Sequence, residues 1–311
     1  VTKVFIDGRE GTTGLRIHER LSSMGGITLL ALPEGLRKDV SARRELLQEA
    51  DIAFLCLPDA AAREAAALSE GGRARIIDAS TAHRTAPGWA YGFPELSGAH
   101  RAKIAAGSRV AVPGCHASGF IALVYPLIRS GALAPSALLS CFSLTGYSGG
   151  GKKMIAEYEA PGRGPAYAAP RAYSTLQAHK HLPEMRAVPG LLTPPVFSPV
   201  VGDFYSGMLV TVPLHAAQLA KPMDPAALTA LYAEHYAGST LVRVLPCREE
   251  TDYLAANALA GRDTMELFVA GCAERYTLCA RFDNLGKGAS GAAIQCMNLM
   301  LGRRETDGLV L

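Results

Sequence analysis

The chain has 311 residues, a formal net charge of +3, 49% hydrophobic residues and 19% charged residues. That length buries a sizeable core in one large domain or two closely joined ones, and the composition excludes a disordered polymer. The small, scattered charge argues against a nucleic-acid surface, and no run approaches the roughly 18 apolar residues of a membrane span.

Val1-Thr2-Lys3 leads almost at once into a strand, so no secretory or transit segment is expected. Residues 3–7 read as that strand, 13–23 as a helix and 27–32 as a second strand. Residues 51–57 are nearly all apolar and stop at Pro58, the pattern of a strand buried on both faces. Asp59 is placed to cap the alanine-rich helix that follows, and 75–78 is the next strand. This alternation predicts an α/β fold with a doubly wound parallel sheet. After Cys115 the rhythm changes. Residues 138–145, 196–200, 208–213, 241–245, 265–272 and 276–282 are strand-like, several without a helix between them, which predicts an antiparallel or mixed sheet in a second domain. Residues 161–170, rich in Pro, Gly and Ala, read as a loop, and 288–301 as an apolar helix expected to return to the first domain.

Gly8-Arg9-Glu10-Gly11-Thr12-Thr13-Gly14 lies between the first strand and the first helix. There, glycines let the backbone approach a pyrophosphate, and the helix start offers its unpaired N–H groups. The spacing is G-x-x-G-x-x-G rather than G-x-G-x-x-G, so a plain glycine turn is the competing explanation. Past the second strand, Glu34 is followed by Arg37 and Lys38, two cations suited to a ribose 2′-phosphate, which favours NADP over NAD.

Val112-Pro113-Gly114-Cys115 ends an apolar strand and opens an apolar helix. A helix N-terminus stabilises a thiolate, and its amides suit an oxyanion, so Cys115 is the candidate nucleophile. The other thiols differ: Cys56, Cys141 and Cys279 lie within apolar runs and read as small core residues. Seven cysteines without framework spacing indicate a reducing compartment, the cytoplasm. His179-Lys180-His181-Leu182-Pro183-Glu184 supplies two imidazoles as candidate acid–base groups, with Glu184 to orient one of them. His-x-His also binds metals, but no CxxC, HExxH or clear third ligand accompanies it, so no metal is expected. Thr145-Gly146-Tyr147-Ser148-Gly149-Gly150-Gly151-Lys152-Lys153 is a candidate anion-binding loop, with Gly149, Gly150 and Lys152 as substrate contacts, and a flexible surface loop with solvated lysines is the competing explanation. Arg84, Arg171 and Lys180 are further cations for an acidic substrate, and nothing local ranks them.

Together with Pro33-Glu34-Gly35-Leu36-Arg37-Lys38-Asp39, Tyr147-Ser148-Gly149-Gly150-Gly151-Lys152 and Asp283-Asn284-Leu285-Gly286-Lys287-Gly288, these segments resemble the shorter bacterial form of N-acetyl-gamma-glutamyl-phosphate reductase. The resemblance spans essentially the whole chain and implies the aspartate-semialdehyde dehydrogenase-like superfamily. It implies a Rossmann-type NADP-binding domain over 1–114, an α+β catalytic and dimerisation domain with a mixed sheet over 115–285, and a returning helix over 286–311. It further implies Ser80 and Pro113 at the cofactor, Asn284 near the nicotinamide, a homo-dimer or tetramer, and a small acyl phosphate as substrate. The implied reaction reduces N-acetyl-glutamyl 5-phosphate to the 5-semialdehyde through a thioester on Cys115. His181, oriented by Glu184, is favoured as acid–base, with His179 as runner-up. The alternatives are aspartate-semialdehyde dehydrogenase, with the same chemistry on a shorter substrate, and a dinucleotide-binding regulator with Cys115 as redox sensor. A sensor would be expected to keep a resolving cysteine close by, and none lies near Cys115 in sequence.

Overall fold

The computed structural model describes residues 1–37, 39–246 and 253–311. Lys38 therefore lies outside the described residues. The chain divides into two compact units, Val1–Pro113 with Ala289–Leu309, and Gly114–Gly288 with Val310–Leu311.

The first unit is built on a six-stranded parallel sheet: β1 (Thr2–Asp7), β2 (Ile27–Leu30), β3 (Ile52–Leu55), β4 (Arg75–Asp78), β5 (Ala90–Tyr91) and β6 (Arg109–Ala111). Their spatial order is β2-β1-β3-β4-β6-β5. Alternate residues of β1 feed two cores. Val4 and Ile6 join Ile52, Phe54 and Ile77 on one face, while Phe5 joins Ala53, Leu55 and Ile76 on the other. A period of two with both faces apolar is why these strands read as unbroken hydrophobic runs. The helices are α1 (Thr12–Ser22), α2 (Val40–Glu49), α3 (Asp59–Leu68) and α4 (Gly98–Ala106). Asp39 caps α2 by accepting from the Ala42 N–H at 2.8 Å. Asp59 does not cap α3 as expected. It is the first helical residue, and its carboxylate accepts from the Thr81 N–H at 3.0 Å and from the Thr81 hydroxyl.

The second unit begins with α5 (Cys115–Arg129), twelve of whose fifteen residues are buried. It packs on β10 (Met208–His215) and β13 (Arg275–Phe282) of a mixed seven-stranded sheet completed by β7 (Ser140–Gly146), β8 (Arg171–Ala172), β9 (Val196–Gly202), β11 (Val242–Val244) and β12 (Met265–Gly271). The order is β11-β12-β13-β10-β7-β9-β8, with β7/β9 and β11/β12 parallel and the other pairs antiparallel. Gly119 lets α5 lie close on the sheet, since a Cβ there would fall 2.5 Å from the Val210 side chain. Helices α6 (Gly151–Glu159), α7 (Leu182–Ala187) and α8 (Pro225–His235) complete this unit. The chain then returns to the first unit as α9 (Gly291–Met300), which packs on α4, α1 and β4 and gives Ile294, Cys296 and Met297 to the first core.

Candidate active site

The glycine loop follows β1 beside β3, where the strand order reverses, the ligand crevice of open α/β sheets. Gly8 has φ +86°, and a Cβ there would lie 2.3 Å from the Cys56 carbonyl oxygen, so only glycine fits. A Cβ on Gly14 would lie 2.5 Å from the Gly8 oxygen, which holds the first turn of α1 tight on the loop. Gly11 is the N-cap, and no side chain caps the helix, so the amides of Thr12, Thr13 and Gly14 lack intrahelical acceptors. Thr12 Oγ1 is also buried without a hydrogen-bond partner. An anion at this helix start would satisfy these donors, and the loop therefore fits a dinucleotide pyrophosphate. A cleft of about 270 Å³ adjoins it, lined by Asp7, Gly8, Arg9, Leu30, Leu32 and Arg37 among others. Arg37 reaches this cleft while paired with Glu10 at 3.2 Å and Glu34 at 3.6 Å.

Elsewhere in the first unit Ser80 sits just past β4. Its N–H and hydroxyl donate to the two oxygens of Asp78 at 2.9 and 2.8 Å, which shapes the loop after the strand. Asp78 also holds His83 Nδ1 at 2.6 Å, with the His83 ring stacked on Trp89. Pro113 is buried at the end of the unit's first segment.

In the second unit Cys115 is the first residue of α5, half-buried, with Gly114 as an N-cap that no side chain serves. Buried Glu184 of α7 accepts a hydrogen bond from the Gly114 N–H at 3.1 Å. It thus holds the peptide directly ahead of Cys115, a contact that the spacing of the His-Lys-His segment did not disclose. His179 and His181 pack at 4.6 Å between ring centroids, and both lie against His116, the neighbour of Cys115, at 5.4 and 5.6 Å. The structure therefore gathers Cys115, His179, His181 and Glu184 in one place. The His181 N–H donates to His179 Nδ1 at 3.1 Å. A neutral His179 consequently carries its proton on Nε2 and presents a donor, not a base, with that atom.

Asn284 accepts from the Gly207 N–H at 2.8 Å and donates to Ser148 Oγ at 3.0 Å. Gly149 lies beside it, since a Cβ there would come within 3.5 Å of the Asn284 amide nitrogen. Gly150 and Lys152 are exposed at the start of α6. Arg171 is engaged by the Tyr158 and Tyr167 rings, 4.8 and 4.0 Å from its guanidinium, and Lys180 is exposed. Among the described residues no group of three or more His, Cys, Asp or Glu is arranged to hold a metal, and no helix is long and apolar enough to cross a membrane.

Sequence reasoning missed four residues here. His116, Ser143 and Tyr173 form a hydrogen-bonded chain whose members are 27 and 57 positions from the histidine, beyond any local pattern. Lys287 is buried in the π-turn Gly286–Ser290, and a Cβ on the adjacent Gly288 would lie 3.0 Å from the Cys115 Cβ. The run Gly286-Lys287-Gly288 was the available signal, because glycines on both sides of a lysine allow the backbone to come this close.

Residues 4–104 match the NAD binding domain of semialdehyde dehydrogenase, and residues 115–284 match its dimerisation domain. Aspartate semialdehyde dehydrogenase II from Vibrio cholerae shares the fold, with a TM-score of 0.74 over 97% of this chain and 98% of that one at 15% identity. Fold and domains thus define an oxidoreductase of the semialdehyde dehydrogenase class with a nicotinamide-dinucleotide domain. The chain is 46% identical over 303 residues to the N-acetyl-gamma-glutamyl-phosphate reductase of Sinorhizobium fredii, covering 96% of this chain and 98% of that protein. It is 44% identical over 318 residues to the N-acetyl-gamma-glutamyl-phosphate reductase 2 of Nostoc sp., covering 99% of each. The chain belongs to the N-acetyl-gamma-glutamyl-phosphate reductase family.

Proposed function

We propose that the protein reduces N-acetyl-glutamyl 5-phosphate to N-acetyl-glutamate 5-semialdehyde with NADPH, through a thioester on Cys115, as a step of arginine biosynthesis. The observation that carries this is the setting of Cys115. It is half-buried at the open N-terminus of α5 with two imidazoles close by, whereas burial pushes the Cys56 thiol up to about 12 and raises Cys141 and Cys279 as well.

Gly8, Gly11, Thr12, Thr13 and Gly14 would hold the pyrophosphate, Arg37 and Lys38 the 2′-phosphate, and Ser80, Pro113 and Asn284 the remainder of the dinucleotide. When bound it supplies the hydride. The Cys115 thiolate attacks the acyl carbon, the carbonyl electrons move onto oxygen, and the first amides of α5 are placed to receive that charge. The carbonyl re-forms as phosphate leaves with the C–O bonding pair, giving the thioester. After reduction to the aldehyde level, sulfur leaves with the C–S pair as the carbonyl returns. His181 gives a proton to the oxyanion left by reduction and takes it back as the carbonyl returns, while Glu184 holds the Gly114 peptide. His179, whose Nδ1 is engaged by the His181 N–H, serves as a donor to the substrate. Gly149, Gly150 and Lys152 would bind the anionic end of the substrate.

On this reading residues 1–114 form the NADP-binding domain, 115–285 the catalytic and dimerisation domain, and 286–311 the returning C-terminal segment. A homo-oligomer is supported by Phe142 and Val196, exposed on the open face of β7 and β9, where an apolar surface favours a second copy. A cytoplasmic location fits a set of cysteines that shows no disulfide among the described residues.

The test is Cys115→Ser, expected to abolish turnover while NADPH still binds in a fluorescence titration. Near-normal turnover in that variant ends the covalent mechanism. Phosphate-dependent NADP reduction with N-acetyl-glutamate semialdehyde and with aspartate semialdehyde fixes the substrate: faster reaction with the latter overturns the proposed one.

A further inference from the structure

The glycine loop carries an acid whose placement the proposed reaction leaves unexplained. Glu10 immediately precedes the Gly11 N-cap of α1, and a carboxylate so near a helix N-terminus is expected to turn toward the open amides. It does not, since no side chain caps α1. Its Oε1 instead reaches Nη2 of Arg37, in the segment after β2, at 3.2 Å, and lies 4.0 Å from Arg9 Nε. All three residues line the cleft of about 270 Å³ beside the loop, whose apolar wall includes Leu29, Leu30, Leu32 and Leu57.

One oxygen of Glu10 is thus shared by two guanidinium groups, a place suited to an external anion. Glu34 also pairs with Arg37, but at 3.6 Å and with its side chain 86% exposed, against 53% for Glu10. Glu34 does not line the cleft, whereas Glu10 does. The acid that matters to a bound nucleotide is therefore Glu10.

We propose that Glu10 is a specificity-determining residue for the nucleotide, an internal counter-anion that competes with a ribose 2′-phosphate for Arg37 and Arg9. The assignment deepens the cofactor site and rests on the reading that the dinucleotide is NADP. Electrostatics gives the direction. A phosphate brought to these cations meets the carboxylate charge at close range, so removing that charge tightens binding of a 2′-phosphorylated ligand. A ligand with a 2′-hydroxyl carries no charge there and gains nothing. A carboxylate that merely held Arg37 in position would act in the reverse sense, and its loss would weaken the phosphorylated ligand. Arg37 and Glu10 are each about half exposed, so water screens the competition and keeps it modest.

The experiment titrates the intact protein by calorimetry with adenosine 2′,5′-bisphosphate and with adenosine 5′-monophosphate, which differ only in the 2′-phosphate. Neither ligand reacts, so binding is read without turnover. Ionic strength is kept low because salt screens exposed charges, and pH is held constant because His18 also lines the cleft. Glu10→Gln is expected to bind the bisphosphate about two- to fivefold more tightly, the range of one exposed ion pair, with the monophosphate unchanged. In an Arg37→Met background the same substitution should lose most of that gain, as residues in direct contact do. Unchanged or weaker bisphosphate binding in Glu10→Gln overturns the proposal. So does an equal gain for both ligands, or a gain that persists undiminished without Arg37. If the parent protein binds the two ligands alike, the 2′-phosphate has no site and the NADP reading falls together with the inference. If the parent prefers the bisphosphate and Glu10→Gln leaves that preference unmoved, the inference alone falls.

Discussion

Beneath the glycine loop, Arg43 ties three elements together. From α2 it donates to Asp7 at the end of β1, with Nε at 3.1 Å and Nη2 at 2.8 Å, and its Nη1 lies 3.6 Å from Glu64 of α3. The Arg43 and Asp7 side chains are 8% and 7% exposed, so each charge depends on the other rather than on water. Burial raises the Asp7 carboxyl above its ordinary value, while the Arg43 hydrogen bond and then its charge pull it back. Arg43→Met preserves bulk but strands the carboxylate, and breaking a buried pair from one side costs about 3–5 kcal/mol. Asp7 escapes part of that cost by taking a proton. Its folded-state pKa lies above the unfolded value of 3.8 and rises further without Arg43. The folded state then holds the extra proton between those two values, so stability is lost as pH rises through the folded one. Urea unfolding of Arg43→Met should therefore show a loss of about 3–5 kcal/mol near pH 8 and a smaller one near pH 5. Adding Asp7→Asn removes the stranded charge and should recover most of the loss near pH 8. Dinucleotide affinity should weaken in the single variant, because Gly8 directly follows Asp7. A loss below about 1 kcal/mol, the range of exposed pairs, or a double variant no more stable than the single one, would refute the argument.

Two further outcomes follow from the same geometry. Gly8→Ala combines φ +86° with a Cβ 2.3 Å from the Cys56 oxygen, and the displaced loop should lose dinucleotide affinity and about 1–3 kcal/mol of stability. Unchanged affinity by fluorescence titration would remove the loop from the cofactor site. Glu184→Gln retains an acceptor for the Gly114 N–H but withdraws its charge, which should cost about 1 kcal/mol of stability and lower kcat. A kcat equal to the parent's would deny Glu184 any part beyond packing.

How much of this was legible in the sequence depends on how far apart the interacting residues lie along the chain. Most of the first sheet was readable because its central strands are short apolar runs that end in a recognisable stop, whereas the two-residue β5 (Ala90–Tyr91) is too short to leave a pattern. Strand β4 spans 75–78 as expected, with Asp78 closing it by binding Ser80 and His83. Strand β2 is shorter than its apolar run, because Ala31 and Leu32 leave the ladder to line the cleft. Hydrophobicity alone cannot separate those two uses of a leucine. Asp59 was misassigned for a related reason: an aspartate before a helix is a good cap, but Thr81, 22 residues away, offers it a hydroxyl and an N–H instead.

The site divides along the same line. Cys115 was legible because its chemistry is local, a thiol at a helix start after Pro113 and Gly114. The histidine pair was legible as a pair, yet its internal asymmetry comes from a single backbone hydrogen bond onto His179, which no spacing rule encodes. His116 was passed over as the residue after the candidate nucleophile. Its meaning lies in Ser143 and Tyr173, brought to it by β7 and by the segment leading into the His-Lys-His turn. The His116 ring lies between two hydroxyls, and its direction is set by Ser143, which is fully buried and has no other hydrogen-bond partner among the described residues. What makes the cysteine's surroundings specific is thus a property of burial, which arises when the sheet closes over Ser143 and has no trace in the order of the residues.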